Sequence, residues 1–335
     1  MAQTISTPQA VPAPVQTGAV HARDVSVVVC AYTDERWDDL LAAVASLRAQ
    51  TAIPGEIIVV IDHNDDLHAR LSATAPEGVL AITNVEQRGL SGARNSGLAI
   101  AAGSVVAFLD DDAVAEPDWL ERMLSAYDDP AVIAVGGPAE PAWDGGRPPS
   151  FPDEFNWVVG CTYRGLPTTT APVRNPVGAN MSFRREVFEA VGAFTHGIGR
   201  VGKRPVGCEE TEFCIRAQTR FPEGVILYEP TARVRHRVPA ARADWAYFRA
   251  RCYAEGLSKA LVTQVAGRGP ALASERTYTM RTLPAGVLRG VRDGLRGDVA
   301  GLSRAAHIVA GLVLTASGYA AGTAAGRFNR IEAPR

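Results

Sequence analysis

The 335-residue sequence has no CxxC pair and no cysteine spacing of the zinc-finger kind. Its five cysteines (Cys30, Cys161, Cys208, Cys214, Cys252) are odd in number and scattered. That excludes a disulfide scaffold and leaves reduced thiols in a cytosolic compartment, read as packing residues. An excess of one charge is also missing. Lys and Arg total 34 against 36 acids, a net charge of -2, so nothing draws the whole chain to nucleic acid and any bound nucleotide is expected to be small. The first 23 residues lack both a basic start and an unbroken apolar stretch, and Pro8, Pro12 and Pro14 interrupt them. This composition reads as a disordered leader, not a secretory signal. No internal repeat is present.

What remains is a regular α/β pattern. Residues 25–30 (VSVVVC) and 56–61 (EIIVVI) are β-branched and almost wholly apolar, as strands buried on both faces of a parallel sheet are. Between them Trp37, Leu40, Leu41, Val44 and Leu47 recur at helical spacing. The helix must end before Pro54, which completes a right-handed strand–helix–strand unit. Residues 89–97 (GLSGARNSG) open another helix, and 104–109 (SVVAFL) form a third buried strand. Asp110, Asp111 and Asp112 follow at once, at the carboxyl end of a core strand, where open α/β sheets place ligands. A loop-rich stretch over 136–177 is dense in Pro, Gly and aromatics, and loops that long are usually functional. Regular patterning returns at 186–191, 209–218 and 225–228.

Asp110 and Asp112 form a DxD pair able to face one divalent cation that in turn holds a diphosphate. Adjacent acids also serve as simple turns and helix caps. The preceding buried strand and the matching segments downstream favour the metal reading. A Gly-rich basic phosphate loop after the first strand, expected of a nucleotidyltransferase, is replaced by AYTDE at 31–35.

The ordered segments SVVVCAYTDE, EIIVVIDHND, GLSGARNSGL, VAFLDDDA, GANMSFRREVFEAVGAF and GCEETEFCIRA together resemble glycosyltransferase family 2, over roughly residues 24–240. The resemblance implies a GT-A fold: a doubly wound, mostly parallel sheet flanked by helices, with a helical C-terminal tail. It also implies an inverting transfer from a nucleoside-diphosphate sugar, assisted by Mg²⁺ or Mn²⁺. By the same resemblance Asp62 contacts the base, with Ala31 and Tyr32 lining that site, and Arg94 and Asn95 lie near ribose and diphosphate. Asp110 and Asp111 belong to the donor site. Asp112 is the main metal ligand, with Asp110, and His236 in VRHRV completes the set, while strand alternation turns Arg235 and Arg237 to the other face. Gly92 is read as allowing close backbone approach.

An inverting displacement needs a base for the acceptor hydroxyl. Glu210 stands where the family usually has Asp and is the expected base, with Glu209 the alternative; two acids at a helix start also suit the macrodipole. Asn180, within 178–182, matches the acceptor wall. Trp143, Phe155 and Trp157 either stack on an acceptor sugar or plug a core. The segments WVVGCTYRG and GCEETEFC resemble family members that are glucuronosyltransferases acting on polyprenyl-phosphate sugars. A catalytically inactive nucleotide-sugar scaffold on the same fold is the rival reading, and acids at every expected site count against it.

These expectations divide the chain into a leader (1–23), a nucleotide-binding half (24–135), an acceptor-binding half (136–255) and a basic helical tail (256–335). Seven Arg and three acids fall between 268 and 304, and 305–326 carry no charged side chain. Twenty-two helical residues span about 33 Å, roughly one hydrocarbon core. The stretch is mostly Ala and Gly, so its insertion drive is weak, while Gly318, Gly322 and Gly326 form a close-packing ridge of membrane type. The tail is expected to associate with the inner face of the cell membrane, peripherally or by a helix, near a glycan or lipid-linked acceptor.

Overall fold

The computed structural model describes residues 20–198, 207–267 and 273–328, so residues 1–19 of the expected leader lie outside the described residues. The leader's last residues join the fold. Val20 and Ala22 pack on the core, and the Ala22 carbonyl accepts from Gly55 N.

Strands and helices alternate from β1 (Val25–Ala31) through α1 (Trp37–Arg48), β2 (Glu56–Ile61), α2 (Asp65–Thr74), β3 (Val79–Thr83) and α3 (Leu90–Ile100) to β4 (Val105–Asp110). The sequence pattern misses α2 and β3. Helix α2 buries only Leu67 and Leu71 and is started by Asn64, whose side chain accepts from Leu67 N. Two apolar anchors make too thin a stripe to register, and β3 is a half-buried edge strand.

The second half adds β5 (Ala113–Ala115), α4 (Trp119–Ser125), β6 (Val132–Gly136), β7 (Ala139–Trp143), β8 (Ala171–Pro172), β9 (Asn180–Arg184), α5 (Arg185–Val191), α6 (Glu209–Arg220), β10 (Val225–Tyr228) and β11 (Val234–Val238). Eight strands form one sheet in the order β3-β2-β1-β4-β9-β6-β10-β8. Strands β1 to β4 run parallel to one another, and β9 runs antiparallel to both β4 and β6. The chain winds outward from β1 to β3, then returns to place β4 on the other side of β1. That reversal opens a crevice at the carboxyl ends of β1 and β4.

Period-two alternation fills both faces of this sheet. Val27 and Val29 enter one core with Leu40, Val44 and Trp119, and Val28, Ile58 and Val60 enter the other with Phe183 and Phe213. Each such side chain contributes about 1.5–3 kcal/mol on burial. The crevice therefore stands on a stiff floor.

A second sheet, β5-β11-β7, sits over the crevice. It pairs His236 with Ala113, one residue past Asp112.

The tail is part of the body. Helix α7 (Trp245–Ala266) runs unbroken through the division expected at 255/256. After it come α8 (Ala273–Thr277), a π turn (Tyr278–Thr282), α9 (Leu283–Leu295) and α10 (Val299–Phe328). Phe155 and Val158 from the loop-rich stretch, Phe248 from α7, Leu283 and Ile308 share one apolar cluster.

Candidate active site

Strand β4 delivers Asp110 to the crevice, and β11 brings His236 opposite. Ligand atoms of Asp110, Asp112 and His236 lie within 4.8 Å of one another. His236 Nε2 is 3.1 Å from Asp112 Oδ1 and 3.9 Å from Asp110 Oδ2. Among the described residues Asp112 Oδ1 and Asp111 Oδ2 are buried without a hydrogen bond, so the approach of His236 to Asp112 is close in distance but not aligned as a donor and acceptor. Two carboxylates and an imidazole around an unsatisfied buried oxygen suit a divalent cation of the Mg²⁺ or Mn²⁺ kind. Alternation along β11 turns His236 inward and Arg235 out to solvent, whereas Arg237 is half-buried, donates to Asp39 and Asp144 and lines a cleft with Asp112.

Two arginines absent from the sequence reading balance this acidic turn. Arg36 Nη1 lies 2.7 Å from Asp111 Oδ1 and 3.1 Å from Asp112 Oδ2, and Arg242 Nη2 lies 3.6 Å from Asp112. Arg36 follows AYTDE directly, so its place in the loop after β1 was a usable signal; Arg242, 130 residues from Asp112 in sequence, offered none. Burial and the neighbouring Asp112 carboxylate push Asp111 up to about 7. For Asp112 burial acts the same way, but His236 and Arg36 outweigh it and hold the acid well below the usual carboxylate range. Burial disfavours protonated His236, and Asp112 more than offsets that, raising it well above its ordinary value.

Arg94 ties this cluster to the acid pair of α6. Its guanidinium is 2 % exposed, donates to Glu209 Oε1 at 2.8 Å and to the Gly178 carbonyl at 2.9 Å, and lies 3.5 Å from Asp110 Oδ1. Glu209 and Glu210 open α6, after Cys208, which has φ of 76°. A left-handed non-glycine residue costs roughly 1–2 kcal/mol, and such strain gathers at functional sites. Glu210 is half-buried. Burial, then the Glu209 carboxylate, push it up to about 8.

The remaining candidates take varied places. Asp62 directly follows β2, its N–H donating to the Ala31 carbonyl, and its carboxylate accepts from Asn84 Nδ2 at 2.7 Å and Gly89 N at 3.0 Å. Tyr32 is exposed, with the Arg36 guanidinium 5.5 Å from its ring centre. Asn95 is bound up locally, exchanging hydrogen bonds with the backbone of Phe194. Gly92 gives close approach to the chain itself, since a Cβ there would strike the Gln87 carbonyl. Asn180 spends both amide donors on the Pro138 and Ala232 carbonyls and accepts from Trp119 Nε1. Trp143 lines a cleft with Asp39, Asp112, Asp144 and Arg237, and its buried indole N–H has no hydrogen-bond partner among the described residues. Trp157 donates to the Tyr278 hydroxyl at 3.0 Å and packs at 5.3 Å on Phe155, which is buried in the cluster shared with the tail.

A doubly wound sheet with a DxD turn, an inward histidine and an acid pair at its crevice defines the GT-A class, and known proteins agree. The pattern of glycosyl transferase family 2 matches residues 26–192. Over 240 residues the chain is 40 % identical to glucosyl-dolichyl phosphate glucuronosyltransferase of Haloferax volcanii, covering 70 % of this chain and 76 % of that one. Among solved structures, the mannosyltransferase PcManGT from Pyrobaculum calidifontis in complex with GDP-Man and Mn²⁺ aligns with TM-score 0.55 at 19 % identity, over 91 % of this chain and 89 % of that one. GalNAc-T7 with UDP, GalNAc and Mn²⁺ aligns with TM-score 0.50 at 18 % identity, over 72 % and 48 %. The chain belongs to glycosyl transferase family 2 and is a glycosyltransferase.

Proposed function

We propose that the chain moves a sugar from a nucleoside-diphosphate donor, with uracil as its base, onto a hydroxyl of a lipid-linked sugar, with inversion, at the inner face of the membrane. A uronic acid is the donor sugar that fits the 40 % identical relative's name. The observation that carries the reading is the Arg94 bridge: one guanidinium links Asp110 of the candidate metal cluster to Glu209 of the acid pair, so donor charge and acceptor base share one crevice.

Asp110, Asp112 and His236 would hold the cation, which when bound offsets charge building on the departing diphosphate. The chain's own residues do the rest. Asp62 fixes the loop before α3 through Gly89 N, shaping the base pocket beside Tyr32. Glu210 takes the acceptor hydroxyl proton onto its carboxylate as that oxygen attacks the anomeric carbon. Arg94 positions Glu209, and with it the first turn of α6. Trp143, beside Asp112 in the cleft, offers a ring face to the acceptor sugar.

Calorimetric titration of UDP, GDP and dTDP, with and without Mn²⁺, on the wild type and on Asp112→Ala tests this. UDP binding that needs the metal and vanishes in the variant is expected. Metal-independent binding, or none to folded protein, refutes the assignment.

A further inference from the structure

Helix α10 is apolar on both sides. Its inner side carries small residues seated on α7 and α9: a Cβ at Gly318 would strike the Tyr253 carbonyl, one at Gly322 the Ala260 Cβ, and one at Gly301 the Gly290 carbonyl. Gly256 of α7 meets the Thr315 carbonyl in the same way. Gly318 and Gly322 of the glycine ridge are thus spent inside the molecule, on packing against α7.

The outer side is exposed. Leu302, Val309, Val313, Ala316 and Ala320 fall at offsets of 0, 7, 11, 14 and 18, one stripe on a 3.6-residue period. Surface helices of soluble proteins turn polar residues outward, yet 305–325 hold no Asp, Glu, Lys or Arg. Helix α9 extends the surface. Leu288, Val291 and Leu295 lie on one face at offsets of 0, 3 and 7, and Leu295 is 84 % exposed. Arg292 sits on that same face, and Arg281 and Arg296 flank it, all exposed and without an ion pair among the described residues.

Given the lipid-linked acceptor proposed above, on which this inference rests, we infer that the outer face of α9 and α10 docks in the plane of an anionic bilayer surface, and that α10 does not cross the bilayer. Charge complementarity selects the partner. A contiguous apolar stripe enters the headgroup–acyl boundary while neighbouring arginines meet lipid phosphates. Spanning is opposed by what α10 is sewn to. Helix α7 carries Arg249, Arg251, Glu255 and Lys259, and immersing that set alongside α10 is costly. The platform also reaches the chemistry, since Ser258 Oγ accepts from Gly207 N and Cys208 Sγ lies 3.5 Å from Glu255 Oε1, just before the Glu209–Glu210 pair. A membrane-borne acceptor would arrive on that side.

Flotation of the full chain with vesicles of phosphatidylcholine, alone or mixed with phosphatidylglycerol, tests the docking. Binding to the mixed vesicles is expected, weakened by salt and abolished by Val309→Asp with Val313→Asp. Arg292→Gln with Arg296→Gln lowers affinity for the mixed vesicles by about 25-fold, at about fivefold per arginine. Alkaline carbonate strips the wild type from the vesicles. Failure of the wild type to float, wild-type flotation by the double aspartate variant, or resistance to carbonate overturns the inference. Metal-dependent UDP binding is measured on the same preparations: if it persists without flotation, only the docking fails, and if it is lost while flotation holds, only the transferase reading fails.

Discussion

Replacing Arg94 by Met keeps the volume and removes the charge at the centre of the site. The guanidinium is 2 % exposed and Glu209 is 5 % exposed, so the carboxylate left behind has no route to water. Burial opposes the charge on Arg94, and Glu209 with Asp110 more than offset that; the pair is mutually dependent. Removing one member of a buried ion pair costs about 3–5 kcal/mol, a large part of the roughly 5–15 kcal/mol that holds a domain folded. With a urea slope of about 3 kcal/mol/M, the midpoint of unfolding falls by about 1–2 M. The second variant decides the cause. Adding Glu209→Gln to Arg94→Met removes the stranded charge, and more than half of the lost stability returns. A midpoint within about 0.3 M of wild type for Arg94→Met, or no recovery in the double variant, refutes the reasoning, because then the bridge does not govern this interior.

Glu210 must be ionised to act as a base, and in the unliganded chain its value is pushed up to about 8, so kcat/KM rises with pH, reaching about one tenth of its plateau at pH 7. Glu210→Gln removes that limb and most of the activity; an unchanged pH–rate profile transfers the base role to Glu209. The same shift acts on stability with the opposite sign: protonation favours the fold, so the contribution is present at acid pH and fades as pH rises through about 8, a slope that chemical denaturation at several pH values reads and that the variant loses. Gly318→Val drives a side chain into the Tyr253 carbonyl and costs about 1–3 kcal/mol by overpacking. Ala316→Val on the exposed side stays within about 0.5 kcal/mol, and equal shifts in Tm would deny the seam. Lys259 lies 2.5 Å from Glu275 and 3.2 Å from Glu255; burial raises Glu275, and Lys259 together with Arg174 outweighs it and holds the acid down to about 2. Lys259→Met therefore destabilises most at neutral pH, and its deficit shrinks on acidification as the carboxylates protonate; a pH-independent deficit would assign the loss to packing alone.

What the sequence disclosed and what it hid follow one physical division. Strands β1, β2 and β4 were legible because a strand buried on both faces must be apolar at every position, and VSVVVC and EIIVVI are nearly so. The DxD turn was legible because it ends such a strand, and His236 because alternation in VRHRV leaves one inward position between two arginines. Helix α2 and strand β3 escaped because half-buried elements carry half the signal. The Arg94 bridge escaped for another reason. Its guanidinium is claimed by Glu209, 115 positions away, and by a carbonyl 84 positions away, and no local period encodes a pairing of that range. Arg36 and Arg242 are the same case at Asp112. Local pattern sets where carboxylates are placed, whereas which cations neutralise them is settled only when the β4 turn, the loop after β1 and the residues after β11 meet. The tail shows the converse. Its Gly-rich period was plain, but the period states only that backbones approach closely, and α7 of the same chain takes the place that a second membrane helix would have filled.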